Sequence, residues 1–482
     1  MDFVLQLLNG GAGNLAAYLA AHVLLCLLPA FFIAGAMAAL IPKASITRWL
    51  GRNTPAFVSY PAAAAAGSLL AVCSCTIVPL FAGIYRKGAG IGPAITFLFF
   101  APAGNIMALA YTGSILGVDF AVARFVLCLL FGIGIGLLMA MLFWGDDASH
   151  DAQTDTLFAD KATIGAAATG VLLALVALLI AGTLKLWPLT ATVASVNLPL
   201  SWAEEWQGVL FRWVPFDAAK GEEGVSVQGS LLIVLLLLIA AAGWKGMENI
   251  IEGANRWTWT AVGLSAATLA VAAVRLTPHV GGLQVDFTGR VFAVALTLWA
   301  VLRYARRLSP GDWQAWLWES WRFVRQIFPL LAAGVFVVGV IRELIQPEWI
   351  HTLAGHNDLL ANFVAVVFGI FMYFPTLVEV PVARMFLDLG MHKGPLLAYL
   401  MADPELSLQS ILMLIAVIGR AKTFAYVAWV AMFSITAGLL YGAWVDGVSL
   451  VWLALGLAAF AAVLAVGLAW LNRRQHHAIQ LS

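Results

Sequence analysis

Two cysteines one residue apart interrupt the apolar stretch "AVCSCTIVPLFAGIYRKGAG" (71–90). Cys73 and Cys75 point about 200° apart on an ideal helix, so they can hold one ligand only where the helix is unwound. Pro79 removes the backbone hydrogen bond to the Cys75 carbonyl, which favours such unwinding. Since thiolates prefer soft acceptors, Cys73-Ser74-Cys75 predicts a site for a soft ligand. Plain packing of small apolar side chains is the competing interpretation.

Two cations, Arg86 and Lys87, follow the cysteines in the same stretch. They fit the solvated end of a loop. They also fit a positively charged site that attracts an anion, together with the amide donors of "KGAGIGP" at the start of the next helix. The second interpretation predicts an anionic ligand and leaves the cysteines incidental.

Three carboxylates lie in segments that are otherwise apolar. Glu379 lies between two prolines in "FPTLVEVPVARMF", and Asp403 and Glu405 flank Pro404. A carboxylate at membrane depth is costly, so it is expected to face a cavity or a cation. We expect Glu379 to carry a proton or contact a ligand, and Asp403 and Glu405 to couple to protons or ions.

Each of these expectations has an alternative. Glu379 could instead form a buried ion pair with Arg384 or Arg420. Asp403 could cap the helix that follows it. Arg420 and Lys422, in "IGRAKT", are expected to hold the inner membrane surface. Whether the site holds a metal stays open, and no cofactor is expected.

The composition sets the class of protein. Of 482 residues, 62% are hydrophobic and only 11% are charged, which indicates an all-α polytopic membrane protein. A net charge of +1 argues against a nucleic-acid partner. The expected partners are the lipid bilayer and a small-molecule or ion substrate, with self-association into a homo-oligomer left open. Four cysteines are too few for a disulfide scaffold, and no cleaved signal peptide is expected.

Hydropathy predicts eleven membrane crossings and two re-entrant hairpins. The predicted crossings lie near 14–41, 56–84, 118–144, 164–186, 228–244, 258–275, 288–304, 327–346, 359–384, 423–443 and 448–470. The runs 90–114 and 393–418 are broken by "APAGN" and "ADPELS", so they are predicted to be the hairpins, with tips near Asn105 and Asp403 that approach one another. Asn105 is included among the candidate ligand contacts.

Charges in the loops predict the orientation. Lys and Arg gather on the cytoplasmic side of membrane proteins, and here they predict an outside N-terminus and an inside C-terminus. Arg86 and Lys87 would then lie outside, against that rule. The Trp-rich segment 187–228 is predicted to be an outside interfacial segment, with a substrate-gathering cap as the alternative.

The two broken runs align without a gap when the numbering is shifted by 302, which we call the repeat offset. The shared breakers are expected to act as hinges: Pro79, Gly88, Gly92 and Pro102 in the first half, and Pro381, Gly390, Gly394 and Pro404 in the second. This predicts a first repeat over 1–144, inserted spans over 145–326 and a second repeat over 327–482. Re-entrant hairpins would make the repeats inverted, whereas full crossings would make them parallel.

The combination of "CSC", "RKG" and "GPAITFLFFAPAGN" with "GPLLAYLMADPE" resembles the ArsP/YraQ-type permease family. The resemblance covers roughly 14–144 and 327–443. It implies a transporter of the cell (inner) membrane, and the family's better-known members export organoarsenicals. No P-loop or G-x-S-x-G motif is present, so neither an ATPase nor a Ser hydrolase is predicted.

The sequence therefore predicts a non-enzymatic secondary permease. We expect it to export a small thiophilic solute, such as a trivalent organoarsenical or a soft metal species, in exchange for protons. The alternative is a transporter of a small sulfur-containing or oxyanionic solute.

Overall fold

The structure is a computed structural model. It describes residues 2–21, 25, 27–69, 74–147, 164–183, 187–215, 224–248, 250–251, 253–279, 281–342, 344, 352–371, 379–449 and 451–462. Cys73 lies outside these residues, and so does Cys26. Ser74 and Cys75 are described by their backbone alone.

The described chain is mostly helical. Its helices are α1 Asp2–Ala21, α2 Leu28–Leu40, α3 Lys43–Leu50, α4 Ala56–Leu69, α5 Ser74–Arg86, α6 Ile91–Ala103, α7 Ile106–Ile115, α8 Val118–Leu142, α9 Ala166–Thr183, α10 Trp187–Thr190, α11 Trp202–Trp213, α12 Val227–Met247, α13 Arg256–Ala273, α14 Gly289–Ala305, α15 Pro310–Arg342, α16 Leu359–Phe371, α17 Glu379–Asp388, α18 Lys393–Leu406, α19 Leu408–Ile418, α20 Arg420–Val445 and α21 Val451–Ala462. The strands are β1 Thr192–Leu198, β2 Arg275–His279 and β3 Gly282–Thr288.

Within these residues, five spans are both long and apolar enough to cross a membrane. They are α6 with α7, α8, α12, α15 and α20. The bent pair α18–α19 adds a sixth if it is one span, and several shorter apolar helices accompany them. The chain is thus a multi-pass membrane protein, as predicted, while the count of eleven crossings stays a prediction.

Helices α1 and α2 lie along opposite halves of the 33-residue helix α15. The Asn14 side chain donates to the Val335 carbonyl at 2.8 Å, and the Trp316 indole donates to the Phe32 carbonyl at 2.8 Å. Asn14 of α1 thus meets the second half of α15, and Phe32 of α2 meets its first half. Between these two contacts the chain passes from one half of α15 to the other.

A three-stranded antiparallel sheet, in the order β1-β3-β2, adds to the predicted all-α fold. It lies within the inserted segment, beside the amphipathic helix α11. The Trp213 indole at the end of α11 donates to the Asn9 side chain at 2.7 Å, so the start of α1 lies at the same end of the bundle. We call this end the sheet face, defined by β1, β2, β3, α11 and the start of α1.

The opposite end carries α3, the turn after α5 and the start of α15, and we call it the basic face. Here the Gly90 amide donates to the Leu50 carbonyl at 2.7 Å, and Gly51 forms a β-bridge with Ala89. The chain therefore enters α4 and leaves α5 at one face. The predicted crossing 56–84 is wrong, because helices of 14 and 13 residues are only about 20 Å long and form a hairpin instead.

The hairpin predicted for the run 90–114 is also wrong. Helices α6 and α7 both run antiparallel to α8, one after the other. Thr96 donates to the Gly132 carbonyl at 3.2 Å near one end of this pair, and Arg124 donates to Thr112 at 3.0 Å near the other. The break after Ala103 interrupts the helix without reversing the chain.

The second half has the same arrangement. Helices α18 and α19 bend by 45°, far from the reversal that a hairpin requires. The reversal lies earlier, between α16 and α17, because the His392 amide donates to the Ala354 carbonyl at 2.9 Å. In both halves hydropathy located the apolar runs correctly. It assigned the reversal of chain direction to the later run, whereas the chain reverses in the run before it.

Backbone details recur at the repeat offset. Gly88 and Gly390 both take positive φ, 88° and 92°, as do Gly117 and Gly419 at 110° and 83°. The amides of Gly88 and Gly390 each donate to the carbonyl three residues earlier at 3.0 Å. Only glycine adopts this left-handed backbone without strain, so these positions require it.

Helices α8 and α20 begin at positions related by the repeat offset, and they pack antiparallel to each other. The Asp119 carboxylate accepts from the Tyr441 hydroxyl at 3.4 Å at one end, and Lys422 lies 3.6 Å from Asp146 at the other. Between them, the rings of Phe131 and Phe433 pack with centroids 4.8 Å apart. These two phenylalanines also correspond to each other in the repeat.

Candidate functional site

One side chain, that of Asn105, stabilises the break between α6 and α7. Asn105 is the N-cap of α7: its Oδ1 accepts from the Ala108 amide at 2.8 Å, and its Nδ2 donates to the Ala101 and Pro102 carbonyls, each at 2.9 Å. Asn105 thus satisfies backbone groups freed by the break. The structure places this predicted ligand contact in a capping role.

Arg124 on α8 reaches into this break and has no exposed surface. Its Nε donates to the Ala103 carbonyl at 3.2 Å and its Nη1 donates to the Thr112 hydroxyl at 3.0 Å. Its Nη2 donates to Glu379 Oε1 at 2.6 Å. The fork of the guanidinium therefore ties together α6, α7 and α17.

Glu379 is the first residue of α17 and is fully buried, as its apolar context predicted. The proposed partners Arg384 and Arg420 are wrong. Arg384 instead bonds Asp388 at 3.1 Å on the exposed side of α17, and Arg420 is exposed at the start of α20. The partner of Glu379 is Arg124, 255 residues earlier in the chain.

Asp403 and Glu405 lie inside α18 and are buried. The Tyr426 hydroxyl donates to Glu405 Oε2 at 2.6 Å, and Asp403 lies within electrostatic range of Arg124. Asp403 does not cap the next helix, because α18 continues through it and Ser407 is the N-cap of α19. The break between α6 and α7 and the end of α18 therefore both lie near the guanidinium of Arg124.

We call Arg124, Glu379, Asp403, Glu405 and Tyr426 the central polar cluster. It contains three carboxyl groups and one guanidinium, so full ionisation would give these five residues a net charge of −2 in a buried region. Such an excess is too costly to persist without a bound proton or cation. Among the described residues, no group of three or more His, Cys, Asp or Glu side chains has a geometry that could hold a metal ion.

The predicted cations Arg86 and Lys87 lie at the basic face, away from this cluster. Arg86 donates to the Gln326 side chain at 2.6 Å, lies 3.8 Å from Glu319, and sits 4.4 Å over the Phe323 ring. Lys87 is buried. Neither residue is therefore the end of a solvated loop. Both lie at the same face as the basic helix α3, so they no longer conflict with the rule that Lys and Arg gather on one side of the membrane.

Lys422 lies at the same face, as the sequence suggested for a surface position. Its Nζ is 3.4 Å from the Tyr85 hydroxyl and 3.6 Å from Asp146. The first contact joins α20 to α5 of the first repeat, and the second joins it to the segment that follows α8. The basic face is thus closed by polar contacts between the halves.

A comparison with protein families matches residues 9–443 to the ArsP_1 family, described as predicted permeases. The chain belongs to this permease family. UPF0718 protein MJ0584 from Methanocaldococcus jannaschii is 32% identical over 444 residues, which cover 92% of this chain and 98% of that protein. No solved structure matches the chain. The family supports a transport function in a membrane rather than an enzymatic one.

The predicted hinge glycines of the permease allow its helices to approach closely. A Cβ on Gly136 would lie 2.7 Å from the Gly92 carbonyl oxygen, and one on Gly438 would lie 2.7 Å from the Gly394 carbonyl oxygen. These two contacts are again related by the repeat offset. The predicted hinge prolines lie inside helices: Pro79 in α5, Pro102 in α6, Pro381 in α17 and Pro404 in α18.

Sequence reasoning missed two members of the permease's cluster, Arg124 and Tyr426. A signal for Arg124 was present, because a lone arginine in the 25-residue apolar helix α8 is costly unless it serves a function or has a partner. Tyr426 gave no such signal, since tyrosine is common in membrane helices. The two residues are related by the repeat offset, so they occupy corresponding positions on α8 and α20.

Proposed function

We propose that this permease is a secondary transporter that exports a small thiophilic solute in exchange for protons. A trivalent organoarsenical is the leading substrate, and a soft metal species belongs to the same class. The buried cluster of three carboxyl groups around Arg124 carries the proposal, because such a cluster must take up a proton or another cation.

The coupling step follows from the contacts of the cluster. Glu405 accepts a hydrogen bond from Tyr426 on one oxygen, while Glu379 bonds Arg124. A proton that arrives at Glu379 weakens its bond to Arg124, and this bond holds α17 against α8. Proton uptake at Glu379 or Glu405 thus supplies a means to loosen the contact between the halves and release a tightly bound solute.

The substrate class rests on the thiols of Cys73 and Cys75. Helices α5 and α17 end at positions related by the repeat offset, so Ile77 on α5 corresponds to Glu379 on α17. Ile77 is fully buried. Cys75 precedes this buried position by two residues, which supports a place for the motif near the interior where Glu379 lies. Two thiolates there suit a soft acceptor.

The antiparallel packing of α8 against α20 supports an inverted repeat. Corresponding helices that run in opposite directions are related by an axis in the plane of the membrane, as in many secondary transporters. We infer that residues 1–144 and 327–482 are the two repeats, with the inserted spans between them. The N-terminus lies outside the cell membrane and the C-terminus inside.

Transport by inverted membrane vesicles tests the function. We expect uptake of trivalent arsenicals or soft metals that depends on a proton gradient, loss of that uptake in Cys73→Ser/Cys75→Ser, and loss of gradient dependence in Glu405→Gln. Cys128→Ser is the matched control, because it removes a buried thiol outside the motif and keeps a hydrogen-bond donor. Thiophilic uptake unchanged in the double serine variant would contradict the substrate class.

A small sulfur-containing or oxyanionic solute is the second candidate, and the buried guanidinium of Arg124 favours it. Arg86 and Lys87 no longer do so, since Arg86 is engaged at the basic face. In the same vesicles, an oxyanion that moves equally well in the double serine variant would favour this candidate. Arsenicals that move only with intact thiols would exclude it.

A further inference from the structure

A cavity of about 500 Å³ lies between the inserted helices and the first repeat, apart from the central polar cluster. Helix α13 contributes one face to it through residues three or four apart, from Trp259 to Leu269, and α14 with its C-cap contributes another, from Leu298 to Arg306. Two facing helices thus leave a slot about 15 Å deep, since ten residues rise by that length. The slot extends from the basic face towards the membrane interior.

Apart from Ser265, whose hydroxyl donates to the Ala261 carbonyl, the lining of the slot is apolar except at its mouth. Leucine, valine and alanine side chains line its depth, and Trp259, Trp313 and Trp316 surround the end at the basic face. The rings of Trp259 and Trp313 lie 5.7 Å apart. Tryptophan favours the boundary between hydrocarbon and headgroups, so these rings mark the depth of the membrane surface.

A positively charged side chain, that of Arg306, lies at this mouth. Arg306 lines the cavity and is exposed, and in the part of the chain that the structure describes no carboxylate lies within ion-pair distance of it. Arg307 follows it directly in the sequence. A slot for hydrocarbon with a positive mouth complements an anionic phospholipid, and basic pockets between membrane helices are known to bind such headgroups.

We propose that this slot binds an anionic phospholipid, with an acyl chain between α13 and α14 and its phosphate at Arg306. The lipid fills the gap between the inserted helices and the helices α2 and α15. The inserted segment is thereby attached to the repeats by a lipid as well as by protein contacts. This site is independent of the proposed transport activity.

The headgroup is tested first by native mass spectrometry and thermal unfolding of the full-length protein in detergent. We expect phosphatidylglycerol to be retained and to raise the melting temperature, and phosphatidylcholine to do neither. Arg306→Gln is expected to weaken phosphatidylglycerol binding about fivefold, as the loss of one cation near an anionic surface predicts. Arg303→Gln is the matched control, because it removes an exposed arginine three residues earlier, on α14, that does not line the slot.

The acyl chain is tested by filling the slot. Ala266→Phe places a ring inside the cavity, whereas Ala267→Phe places it on the exposed side of α13. We expect the first variant to lose bound phosphatidylglycerol and the second to keep it, with both eluting as a single species. Equal binding to the two phenylalanine variants, or to Arg306→Gln and Arg303→Gln, would overturn the proposal. So would equal retention of phosphatidylcholine.

Discussion

The Arg124–Glu379 pair joins helices from the two ends of the chain, and neither side chain has exposed surface. Removing both charges from water costs several kcal/mol per ion, and their contact at 2.6 Å and the other bonds of the guanidinium recover part of that cost. Without Arg124 three buried carboxyl groups would lack a guanidinium, whereas without Glu379 the guanidinium would still have Asp403 within electrostatic range.

Removing Arg124 alone should destabilise the fold more than removing it together with Glu379. We expect Arg124→Gln to lower the free energy of unfolding by about 3–5 kcal/mol, because three buried carboxyl groups then lack their guanidinium, and Glu379→Gln to lower it by less, because Asp403 stays within electrostatic range of Arg124. The double variant should recover part of the Arg124→Gln loss, because one buried carboxylate fewer then lacks a cation. Thermal unfolding in detergent measures the effect, with Arg384→Gln as an exposed control expected to change it by less than about 1 kcal/mol. Fully additive losses would contradict the coupling.

At the residue scale, the sequence predicted the carboxylates and missed their partners. Glu379, Asp403 and Glu405 were found because a carboxylate in an apolar run is costly wherever it lies. The choice of Arg124 over Arg384 depends on the packing of α8 against α17. No local pattern contains that information, because the two residues of the pair are 255 positions apart.

At the scale of elements, hydropathy located the apolar segments and could not order them. A hairpin of two short helices and a single long crossing bury the same residues, so the hydropathy of the run 56–84 is compatible with both structures. The glycines predicted the local backbone more reliably. Gly88 and Gly390 were identified from the repeat alone, and each proves to need a positive φ.

Glycine at the crossing of α6 and α8 should be essential for their close contact. Gly136→Ala would bring its Cβ to 2.7 Å from the Gly92 carbonyl oxygen, and we expect a loss of about 1–3 kcal/mol in unfolding free energy. Gly134→Ala on the same helix meets nothing closer than 3.6 Å and should be neutral or stabilising. Thermal unfolding of both variants distinguishes crowding from helix propensity. Equal melting temperatures would contradict the role of the crossing.

At the scale of the whole molecule, the two hairpins open to opposite faces. The first begins and ends beside α3 at the basic face. The second begins and ends where His392 contacts Asp446 at 3.1 Å, after α20 has run the length of the bundle from the basic face. The inversion that the sequence predicts from the repeat offset and a count of crossings stays a prediction, and the hairpins lie in other runs than those where the sequence placed them.

Labelling from each side of the membrane tests this inversion. In a background without native cysteines, Asn53→Cys and His356→Cys lie at the bases of the two hairpins and are exposed. We expect a membrane-impermeant thiol reagent to label His356→Cys in intact cells and Asn53→Cys in inverted vesicles. Val193→Cys and Ser309→Cys serve as references for the sheet face and the basic face. Labelling of both hairpin bases from one side would rule out inverted repeats.

The sheet imposes an order on biogenesis. Thr192 of β1 pairs with Thr288 of β3, so the first strand leaves the ribosome well before its partner. At about 5–20 residues per second, that interval is roughly 5–20 s. During this time α12 and α13 must be inserted before β3 can reach the same side, and β1 presents an open edge to chaperones and proteases. The sheet can therefore close only after the two helices between β1 and β3 have been inserted in the correct orientation.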